Sequence, residues 1–143
     1  MNNPKLEIQT ILGLDPGRDK CGVAVMRDKQ EVIYHQVIDS ASAIAIIGQL
    51  SQQYDLDLIV MGDGTTSKSW IEQIKSNLPT VTVITINEAN STLEARDRYW
   101  TMYPPQGLQR LLPQSLRLPP RPVDDIVAII LIERYLASVT NNK

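Results

Sequence analysis

Apolar residues run from Ile11 to Leu14, with only Gly13 among them, and the run stops at an acid, Asp15. A polar turn, Pro16–Lys20, leads into a second apolar run, Cys21–Met26. After Arg27–Gln30 a looser alternation covers Val32–Ile38. The pattern predicts strands over Ile8–Leu14, Cys21–Met26 and Val32–Ile38. Polar links this short join antiparallel neighbours. The period then changes. Asp39 and Ser40 suit a helix N-cap, and Ile44, Ile47 and Leu50 give a helical face to Ala41–Tyr54. Leu56–Met61 reads as a short buried strand. Trp70, Ile71, Ile74 and Leu78 return to helical spacing in a helix that starts at Ser67, and Val81–Ile86 alternates as a fifth strand. Helices are predicted over Leu93–Tyr103 and Val123–Ser138, the second very apolar. Between them lies a proline-rich link, Pro104–Pro122. A link of that length without an element is usually functional or disordered.

The order βββαβαβα predicts an α/β fold. Its sheet has five strands and is mixed, the first three strands antiparallel, with helices on both faces. A length of 143 residues and an apolar fraction of 43% fit one domain, 1–143, with one core. No apolar run is long enough to span a membrane, and MNNPKLEIQT lacks the apolar stretch of a signal peptide. Cys21 is the only cysteine, which rules out an intrachain disulfide and a cysteine-based zinc site. A cytoplasmic protein is expected. A net charge of −2 argues against a chain that coats nucleic acid by charge alone. It leaves a nuclease open, because acids that hold a divalent cation are neutralised once loaded. Charge is also uneven: Arg110, Arg117 and Arg121 lie between Trp100 and Val123 with no acid among them.

Five acids follow or open apolar elements. Asp15 ends the first strand, which should be central, although Asp before Pro-Gly is also ordinary turn chemistry. Asp63 follows the fourth strand between Gly62 and Gly64. Glu88 follows the fifth. Glu94, nearby, completes the S-x-x-E form of a capping box with Ser91 and so has a local role, which Glu88 lacks. Asp124 and Asp125 open the last helix, where its dipole favours acids. Each acid has a structural explanation. Together they fall where α/β sheets place their sites, and converging carboxylates repel unless a cation neutralises them. Oxygen ligands of this kind suit Mg²⁺ or Mn²⁺, ions that activate water against a phosphodiester. His35, the only histidine, reads as a satisfied residue rather than a base. Tyr99, Trp100 and Tyr103 can stack on bases, but aromatics ending an amphipathic helix more often join the core.

Four segments carry a family resemblance. LGLDPGRDKCGVAV resembles the opening motif of the YqgF proteins, also called RuvX. LIVMG resembles that family's fourth strand, NEANSTLEA its D-E-R-x-T-T-x-x-A segment, and VDDIVAIILIERYL its last helix. The resemblance implies an RNase H-like fold and a metal-dependent nuclease of structured nucleic acid. The substrate would be the 5′ end of 16S ribosomal RNA precursor or a Holliday junction, with a homodimer suited to symmetric junction cuts. By position it implies Asp15, Glu88 and Asp124 as catalytic metal ligands, with Asp63 as an auxiliary and Asp125 as second choice to Asp124. Arg18 and Lys20 would contact a phosphate, and Arg110, Arg117 and Arg121 would follow the nucleic-acid backbone. The chain departs from the pattern at Asn87, where the family has Asp, and at Ala89, where it has Arg. The loop DGTTSKSW and the long proline-rich link also differ. Two rival readings follow. One is a nucleic-acid-binding or scaffold protein that keeps the fold without the activity. The other is a nucleotide-binding lobe of the actin and sugar-kinase type, for whose second lobe the chain has no room.

Overall fold

The computed structural model describes residues 9–141. Its strands are β1 (Thr10–Asp15), β2 (Lys20–Arg27), β3 (Glu31–Asp39), β4 (Leu58–Gly62) and β5 (Thr82–Ile86). Its helices are α1 (Ala43–Tyr54), α2 (Ser67–Asn77), α3 (Ser91–Met102) and α4 (Asp124–Asn141). The predicted order holds. Ile8, expected to open the first strand, lies outside the described residues.

The strands form one sheet in the order β3-β2-β1-β4-β5. β1 pairs antiparallel with β2, and β2 with β3, as the short links require. β4 runs parallel to β1, and β5 parallel to β4, each reached through a helical crossover. β1 is therefore the middle strand, and both its faces are buried. Ile11 faces one apolar layer with α3 and α4, while Leu12 and Leu14 face the other with α1 and α2. This two-sided burial is why β1, β2 and β4 are apolar almost throughout.

α4 brings its wholly buried stretch Ile126–Ile132 across β1 and β2. It comes close because Gly13 and Gly22 lie beneath it. A Cβ on Gly13 would strike the Ala128 carbonyl, and one on Gly22 the Asp124 carbonyl. Main chain packs on main chain there, and only glycine leaves the room.

Three local expectations need correction. α1 begins at Ala43, because Ser40–Ser42 form a 3₁₀ turn after Asp39. The capping box of Ser91 and Glu94 does not form. The N-cap is Asn90, in the left-handed region at φ 61°, with no side-chain cap bond, so Ser91 is already helical. Glu94 turns instead to Arg134 of α4, 3.0 Å away. The link is not structureless. It holds 3₁₀ turns at Gly107–Leu111 and Gln114–Leu116, tied by Arg117 Nε–H donating to the carbonyls of Gln109 (2.9 Å) and Leu112 (3.0 Å).

Candidate active site

The acids meet at the carboxyl edge of the parallel strands. Asp15 ends β1 opposite Gly22 in the β1–β2 register, and the Asp124 main chain sits on Gly22. The strand end and the helix start are thereby brought together, and the Asp15 and Asp124 side chains share a hydrogen bond. Burial, then the charges of Asp124 and Glu88, then that bond push the Asp15 carboxyl up to about 7. Asp124 is also raised, first by burial and then, against its bond to Asp15, by the charge of Asp125. Two carboxyls so placed share a proton rather than ionise together.

Glu88 approaches from β5. Its carboxylate lies over the bend Gly62-Asp63-Gly64, in space that a Cβ on either glycine would occupy. Burial and the charge of Asp63 raise its pKa. Asp63 is exposed and accepts a bond from the Glu88 backbone N–H at 3.3 Å, so it faces Glu88 rather than the Asp15–Asp124 pair. Asn87, where the resemblance leads one to expect Asp, makes a tight turn by accepting the Ala89 N–H at 2.8 Å. Arg134 donates to the Asn87 carbonyl at 2.8 Å and pins this loop to α4.

Asp125 is placed quite differently from Asp124. It is 2% exposed and lies between His35 Nδ1 (2.6 Å) and the Arg121 guanidinium (2.9 Å). Burial opposes its charge, but the bonds from Arg121 and His35 prevail and hold its pKa low. It is an anchor with both partners supplied, and His35 is the satisfied residue expected.

The basic residues divide. Arg18 is 94% exposed beside the first acid, with only Asp19 near, at 4.0 Å. Lys20 is paired with Asp39 at 2.5 Å. Arg110 is exposed with no ion-pair partner among the described residues. Arg117 and Arg121 are engaged within the molecule. Arg117 ties the link and lies 6.0 Å over the Trp100 ring, while Arg121 holds Asp125 and sits over Tyr99 (5.5 Å) and Tyr103 (5.6 Å). Arg110 and Arg18 are therefore the two of these five without a close partner among the described residues.

Sequence reading missed Arg134 and the anchoring of Asp125 by His35 and Arg121. The contacts of Arg134 and His35 join residues far apart in the chain, which no local pattern marks, whereas Arg121 and Asp125 are only four residues apart, with Arg121 still in the irregular link before the helix begins.

The donor set suits a hard divalent cation. It is all carboxylate, and Asp15, Asp124 and Glu88 all carry raised pKa values that a cation would reverse. Asp15 and Asp124 are in contact, while Glu88 acts on Asp15 through space. Among the described residues no three His, Cys, Asp or Glu side chains are drawn together closely enough to enclose an ion as they stand.

A mixed sheet in this order, with acids at the end of its middle strand and the start of its last helix, is the RNase H-like arrangement. The Thermus thermophilus RuvC structure matches over 94% of this chain and 98% of its own, with a TM-score of 0.58 at 11% identity. The family model for the Tex protein YqgF-like domain matches residues 9–96, more than half of the chain. The chain belongs to that family. A candidate sugar kinase from Cytophaga hutchinsonii (16% identity, 64% of this chain, TM-score 0.45) and the Aquifex aeolicus PPX-GPPA enzyme (12%, 71%, 0.39) are also similar in part. The chain spans only 39% and 43% of those two proteins. No curated protein sequence matches significantly. No helix among the described residues is long and apolar enough to cross a membrane.

Proposed function

We propose that this chain is a metal-dependent nuclease that hydrolyses phosphodiester bonds in structured nucleic acid, a ribosomal RNA precursor or branched DNA. The observation that carries the reading is the Asp15–Asp124 pair, two carboxyls held in contact at the rim of the sheet by the glycine-backed crossing of α4. Holding like groups together costs stability, and that cost is offset when a cation binds. Asp15, Asp124 and Glu88 would hold Mg²⁺ or Mn²⁺, with Asp63 beside Glu88. When bound there, such an ion supplies the positive charge that makes water a better nucleophile and offsets charge on the leaving oxygen. The chain's own part is to release the shared proton, present the oxygens and orient the strand.

A second reading has one observation in its favour. Glu88 rests over the glycine bend and does not close on the pair, as it would in a protein that binds nucleic acid without cutting it. One experiment separates the two. Purified protein is incubated with precursor ribosomal RNA and with four-way junction DNA, with Mn²⁺ or EDTA, beside Asp15→Asn. Cleavage that needs Mn²⁺ and is lost in the variant supports the nuclease. Binding to either substrate without cleavage supports the second reading.

A further inference from the structure

α3 and the link face each other across a groove that opens onto Asp124. Its first part is a cleft of about 360 Å³, with Thr92 and Arg96 on one wall and Leu118 and Pro119 on the other. Thr92 and Arg96 are one helical turn apart and share a face. Arg96 is exposed and has no ion-pair partner among the described residues, whereas its neighbours Arg98 and Arg121 are both paired. A free guanidinium beside an acid pair meant for a cation suits an anion that spans both.

Past Leu118, which is 69% exposed and borders both spaces, lies a second cavity of about 350 Å³. Tyr99, Trp100 and Tyr103 line it on the α3 side and Gln109 on the link side. Two polar atoms of its lining residues, Trp100 Nε1 and Gln109 Oε1, are buried without a hydrogen-bond partner. One is a donor and the other an acceptor. Buried groups left unpaired are rare and call for an explanation. Both atoms lie behind the cavity's surface; what suits the cavity to a nucleobase is the three aromatic side chains in its lining, on which a flat ring can stack.

We infer that this groove seats one unpaired nucleotide of a nucleic-acid strand, with its phosphate on Arg96 and its base in the aromatic cavity. The inference rests on the nuclease reading above and adds a preference for single-stranded or extruded nucleotides. A paired duplex offers no base to the cavity unless one is flipped out.

Trp70→Phe leaves Trp100 as the sole tryptophan, since the chain has two. In EDTA, to prevent cutting, this variant is titrated with short single-stranded RNA, short single-stranded DNA and a fully paired duplex of equal length. Either single strand should quench Trp100 emission and the duplex should not; the strand that quenches at lower concentration identifies the sugar. In the otherwise native chain, Arg96→Gln should weaken single-strand binding for every sequence and lower its salt slope by about 1, while Arg96→Lys restores the slope. Single-strand binding with Trp100 emission unmoved and the Arg96→Gln slope unchanged overturns the groove and leaves the nuclease reading standing. No binding to single strand or duplex in EDTA, together with no cleavage in Mn²⁺, overturns both.

Discussion

At the scale of single residues, the site depends on one hydrogen atom. Gly22 has no Cβ, and the Asp124 main chain fills the space. Gly22→Ala should lift the start of α4 and separate Asp124 from Asp15. The expected cost is about 1–3 kcal/mol from overpacking, with cleavage lost even at temperatures where the variant stays folded. Denaturant unfolding and the nuclease assay read the two effects separately. Asp15 makes a second prediction. Its carboxyl titrates near 7 in the fold and near 3.8 when unfolded. Between those values the unfolded chain gives up its proton while the folded chain keeps it. Stability of the metal-free protein should therefore fall as pH rises from about 4 to 7, by on the order of a few kcal/mol. Asp15→Asn should flatten that part of the profile in denaturant unfolding run from pH 4 to 8.

At the scale of elements, the link is fastened by its arginines. Arg121 joins the last turn of the link to Asp125, near the start of α4, and to the aromatic end of α3. Arg121→Ala would leave the buried Asp125 carboxylate with His35 alone. A cost of about 3 kcal/mol is expected, at the low end for a broken buried pair because Arg121 is itself partly exposed. Hydrogen exchange should show 104–122 opening before the sheet does. Arg134 plays the corresponding part for the Glu88 loop, where it bonds the Asn87 carbonyl and Glu94. Arg134→Ala should reduce cleavage more than stability, because its partners are exposed while the loop it orients carries Glu88.

At the scale of the whole molecule, sheet and helices hold acids together that would separate if left alone. A cation that binds the folded chain only should raise the thermal midpoint, its stabilisation growing with the logarithm of concentration and reaching about 2.7 kcal/mol at a hundredfold excess over Kd. The shift with Mn²⁺ should be larger at pH 7.5 than at pH 5.5, because the Asp15–Asp124 proton has to leave first. Differential scanning fluorimetry at the two pH values checks this, with Asp15→Asn as the control that should shift little.

By itself the sequence determined the element order, the antiparallel opening and the buried middle strand. These follow from apolar period and link length, which are local properties of the chain. It also determined which acids sit at the ends of elements, Asp15, Asp63, Glu88 and Asp124. It could not rank Asp124 against Asp125 by pattern, since both open the same helix. That difference lies in what each side chain meets: Asp15 for one, His35 and Arg121 for the other. The capping box at Ser91 failed for the same reason, because Arg134 from α4 competes for Glu94. Arg117 looked free in the sequence because its partners are carbonyls and an aromatic ring, which carry no charge signal, while Arg121 has Asp125, four residues on, beside its rings. Local chemistry is legible along the chain. Which groups meet across it is decided by the packing of α4 on Gly13 and Gly22, and only the tertiary structure contains that.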